Sequence, residues 1–177
     1  QWLYRTKQPV LTLVTSGTGA MEAAVSNFFS KGDKVLCLRG GRFGDRWAQL
    51  CEAFGLVVLE VTAEWGDVLD PEAVKAALAA NRDIKAVFAT ASESSTGVAH
   101  PVREIAAACR NTDALCIVDA ISAIGAFDVP QDDWGIDVLV GSSQKAVMLP
   151  PGLSFLGLSE RAWARAQQAT LPRFYFD

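Results

Sequence analysis

Two ionisable residues, Asp119 and Lys145, each follow an apolar, strand-like run of the sequence. Asp119 ends the run LCIVD, and Lys145 comes shortly after DVLVGSS. A carboxylate at the end of so apolar a strand is costly to bury unless a cationic group lies beside it. A lysine amine held close to its neutral form can act as a nucleophile or carry a proton. Taken singly, Asp119 could pair with a structural arginine, and Lys145 could be a solvated surface charge.

Three further segments with chemical potential also follow strand-like runs. Ser16–Gly19 precedes a helical pattern, so it forms either a tight strand-to-helix turn or an anion site at a helix N-terminus. Residues 40–44, GGRFG, are predicted to form a flexible loop, in which Phe43 either covers the sheet edge or stacks on a planar ligand. The hydroxyls of residues 91–97, ASESSTG, could cap the next helix or bind ligand oxygens.

The elements that must position these segments are βα units. Short apolar, β-branched runs alternate with stretches of helical periodicity, which predicts an α/β domain with a mostly parallel sheet flanked by helices. Strands are predicted at 11–14, 34–38, 57–61, 84–90, 115–119, 138–141 and 153–158. Helices are predicted at 19–29, 45–54, 71–80, 102–111 and 160–169, and Asp70-Pro71 is a good start for the third, because aspartate can cap free amides and proline is tolerated at the first helical position. Because ligands bind beyond the carboxyl ends of such strands, all five segments are expected to share one edge of the sheet.

The composition favours a single globular unit without a basic surface for large polyanions. The 177 residues are 50% hydrophobic and carry a formal net charge of −4, and the basic residues are spread along the chain. We therefore expect neither nucleic-acid nor membrane binding. The four cysteines form no CxxC pair and there is one histidine, so buried free thiols are expected and a metal site is not. The sequence has no signal peptide or long apolar run, which predicts a cytoplasmic protein or one of an organelle lumen such as the peroxisome.

Five motifs together resemble one enzyme family. They are SGTGAMEA, GGRFGDR, ESSTG, VDAISAIGA and GSSQKAVMLPPG, and they occur in that order from Ser16 onward. On these motifs the chain resembles the large domain of a class V aminotransferase, a pyridoxal 5'-phosphate (PLP) enzyme of fold type I. It is most similar to the alanine–glyoxylate and serine–glyoxylate branch. The 26 positions between Asp119 and Lys145 fit the family's spacing of its two catalytic residues.

The resemblance assigns a role to each matched position. It implies that Lys145 forms a Schiff base with the PLP aldehyde and then transfers protons, and that Asp119 pairs with the ring nitrogen. Around the cofactor, the phosphate would be held at the start of a helix and by a glutamine, the ring would lie between two apolar side chains, and a serine would bind its phenolic oxygen. The implied cofactor contacts are Ser16, Gly17, Thr18, Phe43, Ser94, Asp119, Ile121, Gln144 and Lys145. The branch commonly has tryptophan where this chain has Phe43.

The implied function is amino-group transfer from serine or alanine to glyoxylate or pyruvate. The implied partners are these small amino-acid and 2-oxo-acid substrates and a second subunit, in a homodimer that shares its active sites. The related desulfurases and selenocysteine lyases place histidine before the lysine, whereas this chain has Gln144, which disfavours sulfur removal. Two alternatives remain, namely lyase or desulfurase chemistry with the same cofactor and a non-catalytic cofactor-binding or regulatory module.

The resemblance also implies segments that this chain does not show. Related enzymes have an N-terminal segment before SGTGA and a small C-terminal domain whose arginine binds the substrate carboxylate. Residues 1–177 are thus interpreted as the PLP-binding large domain with the small C-terminal domain absent. Two explanations remain open, a fragment of a longer enzyme, which is favoured, and a stand-alone remnant of the domain. Arg173 carries no motif that marks it as the carboxylate-binding arginine. Apolar surface that the missing parts would cover is expected to be exposed and to promote association.

Overall fold

A computed structural model describes all 177 residues of the chain. The strands are β1 Val10–Val14, β2 Lys34–Arg39, β3 Val57–Thr62, β4 Ile84–Thr90, β5 Ser92–Glu93, β6 Val98–Ala99, β7 Leu115–Asp119, β8 Val138–Ser142 and β9 Leu153–Leu158. The helices are α1 Gly17–Phe28, α2 Arg42–Ala53, α3 Pro71–Ala80, α4 Val102–Cys109, α5 Gln131–Trp134 and α6 Glu160–Ala166. None of the helices has the length and apolar character needed to cross a membrane.

Seven strands form one sheet in the order β1-β9-β8-β7-β4-β2-β3. Strands β2, β3, β4, β7 and β8 pair in parallel, and β9 runs antiparallel to both β8 and β1. Since β1 and β8 both oppose β9, they run in the same direction, and six strands end at one edge of the sheet. The predicted α/β fold with a mostly parallel, helix-flanked sheet is confirmed.

The sheet separates two apolar layers of similar size, each with 23 buried residues. One layer packs under α3 and α4, and the other packs under α1, α2 and α6. Side chains of β7 alternate between them, with Cys116 and Val118 in the first layer and Leu115 and Ile117 in the second. By the same alternation Asp119 lies on the side of the sheet that α1 and α2 cover.

The cysteines form two buried pairs of free thiols, one in each layer. Cys37 of β2 and Cys51 of α2 have their sulfur atoms 4.0 Å apart. Burial raises the pKa of the Cys51 thiol, and contact with Cys109 is the largest cause that raises the pKa of Cys116. The thiols therefore pack as small apolar groups, as the sequence predicted.

Several element ends are fixed by the residues that the sequence indicated. Asp70 caps α3, since its side chain accepts a hydrogen bond of 2.9 Å from the Glu72 amide, and Pro71 begins the helix. Strands β4, β7 and β9 have the predicted bounds. His100 lies just before α4, and it is buried there.

Two helices begin earlier than predicted, and this corrects the interpretation of residues 40–44. Helix α1 begins at Gly17, and α2 begins at Arg42, so Phe43 lies in the first turn of a helix and not in a flexible loop. The start of α2 is stabilised by Glu93, 50 positions away from Phe43, which no local pattern can indicate. The sequence analysis also missed the β5–β6 hairpin and α5, whose strands and helix are only two and four residues long.

Trp47 packs α2 against β4 of the sheet, and truncation of its side chain tests this packing. Its side chain is fully buried, its ring centre lies 4.8 Å from that of Phe88, and its indole N–H donates to the Ala89 carbonyl at 3.2 Å. We expect Trp47→Ala to lower the free energy of unfolding by about 3–5 kcal/mol, measured by urea denaturation. Trp163→Ala on α6 is the control, because Trp163 is 39% exposed and its truncation should cost clearly less. Equal losses in the two variants would contradict this account.

Candidate active site

The candidate site lies along the edge where six strands end. Five connections meet there, each leaving a different strand, and all nine residues predicted from the sequence lie in these connections or in the strand and helix ends beside them. The connections follow β1 at Thr15, β2 at Gly40, β4 at Ala91, β7 at Ala120 and β8 at Ser143. The parallel topology alone therefore brings together residues that are far apart in the sequence.

Asp119 is a buried carboxylate with little compensation from the protein. It is 3% exposed, and its Oδ1 accepts one hydrogen bond of 2.8 Å from the Ile121 amide. No arginine or lysine forms an ion pair with it, so the structural arginine partner considered from the sequence is not found. Burial raises the pKa of Asp119 to about 6; the charge of Glu93 adds to the shift, and those of Arg46 and Lys145 oppose it. A cationic ligand group beside Asp119 would remove this penalty.

The start of α1 presents hydroxyl groups and free amides beside Asp119. Ser16 is the N-cap residue, and its Oγ accepts from the Gly19 amide at 3.3 Å, which leaves its own O–H free to donate. A Cβ at Gly17 would lie 2.5 Å from Cδ1 of Ile121, so only glycine allows this close approach between α1 and the segment after β7. The first turn of α1 is thereby placed against the residue that binds Asp119, in a form suited to an anion.

Arg46 connects this turn with the aromatic ring of the site. Its Nη1 donates to Oγ1 of Thr18 at 3.0 Å, and its guanidinium carbon lies 4.7 Å from the centre of the Phe43 ring. Because Arg46 donates to the Thr18 oxygen, the Thr18 hydrogen is free to point elsewhere. The sequence analysis missed Arg46. Its spacing of three from Phe43 would have indicated it only if α2 had been predicted to begin at Arg42.

The hydroxyl cluster after β4 binds neighbouring loops and does not cap the next helix. Ser94 is exposed, and its Oγ lies 2.6 Å from Oγ of Ser122, in the segment after β7. Helix α4 begins after Pro101 without any side-chain cap, so the prediction that these hydroxyls cap the next helix is wrong. Ser94 is therefore held beside the residues that follow Asp119, with its side chain at the surface of the site.

Gln144 and Lys145 follow β8 and are both exposed. The tight turn that carries them is closed by hydrogen bonds of 2.9 Å from the Met148 amide to the Lys145 carbonyl and from the Leu149 amide to the Ser143 carbonyl. Oγ of Ser142 contacts Oε1 of Gln144, which leaves the amide nitrogen of Gln144 free to donate. Lys145 makes no ion pair, and its charge acts on Asp119, so its amine is an available cation on the same edge.

Arg173 lies outside this constellation. Its Nε donates to Asp177 at 2.7 Å, and its Nη1 donates to the Ala169 carbonyl at 3.2 Å. The side chain is thus bound to the C-terminal segment of the chain. It offers no free guanidinium to the residues around Asp119.

Asp119→Asn tests the electrostatic penalty directly. The folded-state pKa of about 6 lies above the ordinary value of 3.8, so the folded protein binds more protons than the unfolded chain between these values. Stability must then fall as pH rises through that window, and the variant should remove this contribution and raise the free energy of unfolding at pH 7 by about 3 kcal/mol. Chemical denaturation at pH 4, 5, 6 and 7 measures both effects.

Asp137→Asn is the matched control, because Asp137 is equally buried but well paired. It accepts from the Cys116 amide at 2.9 Å and from Ser159 at 2.6 Å, and Arg161 lies 3.5 Å away. This variant should lose stability at pH 7. A loss of stability in Asp119→Asn at the same pH would show that the protein already compensates the cost of burying the Asp119 charge.

Known proteins similar to this chain include both curated relatives and solved structures. The chain is 47% identical to a protein of Synechococcus sp. named as the small subunit of a soluble hydrogenase, over 100% of this chain and 47% of that protein. It is 40% identical to the L-aspartate–glyoxylate aminotransferase of Paracoccus denitrificans, over 99% of this chain and 45% of that enzyme. The crystal structure of alanine–glyoxylate aminotransferase from Nostoc sp. superposes with a TM-score of 0.94 at 30% identity, covering 99% of this chain and 47% of that one.

These matches show which family the chain belongs to and how much of each relative it covers. The chain spans about half the length of the curated relatives it matches. The family described as aminotransferase class-V matches residues 2–171, nearly the whole chain, which confirms the resemblance drawn from the five motifs. On this match and the shared fold, the chain belongs to the class-V aminotransferase family.

Proposed function

We propose that residues 1–177 form the PLP-binding domain of an aminotransferase that moves an amino group from a small amino acid, serine or alanine, to glyoxylate or pyruvate. The observation that carries this proposal is Asp119, a buried carboxylate with one backbone hydrogen bond and no counter-ion, in a chain of this family. Such a group is costly in isolation and favourable opposite a cation. A protonated pyridine nitrogen is a cation of this kind.

The residues around Asp119 fit the rest of the cofactor. Free hydroxyl hydrogens of Ser16 and Thr18 and the N-terminus of α1 suit the phosphate, with the Gly17 backbone and the Gln144 amide beside them. The ring would lie between Phe43 and Ile121, both half-buried, and Ser94 would donate to its phenolic oxygen. Together these residues offer hydrogen-bond donors for an anion, an aromatic side chain and a carboxylate. Such a set suits a flat, cationic ring that carries a phosphate group.

Bound PLP supplies an electrophilic carbon and an electron-accepting ring, so that the α-hydrogen of an amino acid can leave as a proton. Lys145 would bind the cofactor through Nζ. Once displaced by substrate, this amine would take the proton from the α-carbon and deliver it to C4' of the cofactor. Its exposure and lack of an acidic partner leave the amine free to move between these positions. Asp119 would hold the ring nitrogen protonated, and the paired cation would in turn lower the pKa of Asp119 and keep it ionised at neutral pH.

The exposed apolar side chains near the site support a homodimer with shared active sites. Val14 is 73% exposed, Met148 is 87% exposed and Tyr175 is 73% exposed. Met148 lies in the turn after Lys145, and the Tyr175 hydroxyl donates to the carbonyl of Val14 at the end of β1. Apolar surface concentrated at the edge of a polar site suits cover by another polypeptide surface.

Lys145→Ala tests the central assignment. We expect the wild-type protein to develop a visible absorbance band with PLP and the variant to lose it, because no amine then bonds the cofactor aldehyde. Lys75→Ala is the control, since Lys75 lies on α3, pairs with Glu72 and is exposed. Retention of the band in Lys145→Ala would overturn the role of Lys145.

A donor and acceptor screen tests the reaction itself. Serine, alanine and aspartate are offered with glyoxylate or pyruvate, and formation of the new amino acid is followed with isotope-labelled nitrogen. Transfer of label from serine or alanine supports the proposal. Consumption of the donor without a labelled product would favour lyase or desulfurase chemistry, and PLP binding without any turnover would favour a non-catalytic module.

A further inference from the structure

Glu93 is a fully buried carboxylate that stabilises the start of α2 and is not among the residues proposed to contact the cofactor. Its relative exposure is 0%, and it lies in the β5–β6 hairpin against the start of α2. Oε2 accepts hydrogen bonds from the amides of Phe43 at 2.9 Å and Gly44 at 3.1 Å. Oε1 accepts from the Ser95 amide at 3.1 Å and the Ser95 hydroxyl at 2.7 Å. Four accepted bonds on two oxygens match the capacity of an ionised carboxylate.

These bonds make Glu93 the cap of a helix that belongs to another segment. The first amides of a helix have no partner within it, and the N-cap side chain normally binds them. The N-cap residue of α2 is Gly41, which makes no side-chain bond. A Cβ at Gly41 would lie 2.5 Å from Cγ of Glu93. Because glycine has no side chain, Glu93 can occupy this space.

The same hairpin binds a third amide of this turn. The Arg42 amide donates to Oγ of Ser95 at 3.0 Å, and Ser95 in turn donates to Glu93. Three consecutive amides at the start of α2 are therefore held by residues 93 and 95. The position of the first turn of α2, and with it the backbone of Phe43, is set by the hairpin.

The hairpin also carries Ser94, next to Glu93 in the chain and tied to Ser122. On the proposed function, Phe43 and Ser94 face the same cofactor from two different elements. We propose that Glu93 is a positioning residue, whose carboxylate fixes the Phe43 ring relative to Ser94 and Asp119 so that they form one preorganised site. This inference rests on the proposed function for its ligand but on the observed hydrogen bonds for its geometry.

The test compares PLP affinity in Glu93→Gln with that in Asp137→Asn, each measured by absorbance titration beside thermal unfolding. Glutamine keeps the size of Glu93 but turns one acceptor into a donor that faces N–H or O–H groups. We expect the Kd for PLP to rise about tenfold in Glu93→Gln, equivalent to ~1.4 kcal/mol. Asp137 is buried in the same layered core but binds at the opposite end of β7, so its variant should unfold more easily and change Kd by less than about twofold.

A double-mutant cycle separates positioning from general damage. If Glu93 acts through Phe43, then adding Glu93→Gln to Phe43→Ala should change Kd by less than about twofold further. The same factor in both backgrounds, or an unchanged Kd in Glu93→Gln alone, would refute the proposal.

Hydrogen exchange provides a readout that does not depend on the cofactor. The amides of Phe43 and Gly44 should exchange faster in Glu93→Gln and at the wild-type rate in Asp137→Asn. If the wild-type protein bound no PLP, the proposed function would fail while this measurement still judged the role of Glu93. Unchanged exchange at both amides would show that Glu93 does not position the start of α2.

Discussion

A carboxylate buried without a counter-ion is the constraint around which this sheet edge is built. Asp119 ends the central strand β7, where the neighbouring strands remove it from water and only the Ile121 amide binds it. In the protein without a bound cation, the burial of apolar side chains on both sides of the sheet has to offset this cost. The same burial that destabilises the apo carboxylate makes it a strong partner for a cation, since the interaction is little screened.

The starts of α1 and α2 are positioned at this edge of the sheet in the same way. At each start a glycine leaves room for a larger side chain that comes from the connection after another strand: Ile121 against Gly17, and Glu93 against Gly41. A substitution at either glycine would have to displace a packed side chain, Ile121 or Glu93. The two helices therefore hold fixed positions on the edge of the sheet, which is what an electrostatic site requires of its donors.

The order of chemical residues along the chain was enough to predict their convergence, because parallel strands end at a common edge. The bounds of β4, β7 and β9 followed from apolar β-branched runs, and α3 followed from its Asp-Pro start. The start of α2 could not be predicted in this way, since its cap is a residue 50 positions away. Glu93 and Arg46 were missed for the same reason, as each acts across elements whose contact is decided by tertiary packing. The roles proposed for the nine site residues come from the family resemblance, and the structure brings these residues to one edge of the sheet.

The paired thiols give the two halves of the core separate markers. Cys37 and Cys51 lie between β2 and α2, whereas Cys109 and Cys116 lie between α4 and β7 on the opposite side of the sheet. All four are shielded from solvent, so an alkylating reagent reaches either pair only when the corresponding helix lifts away from its strand. The order in which the two pairs become labelled thus reports which side of the sheet opens first.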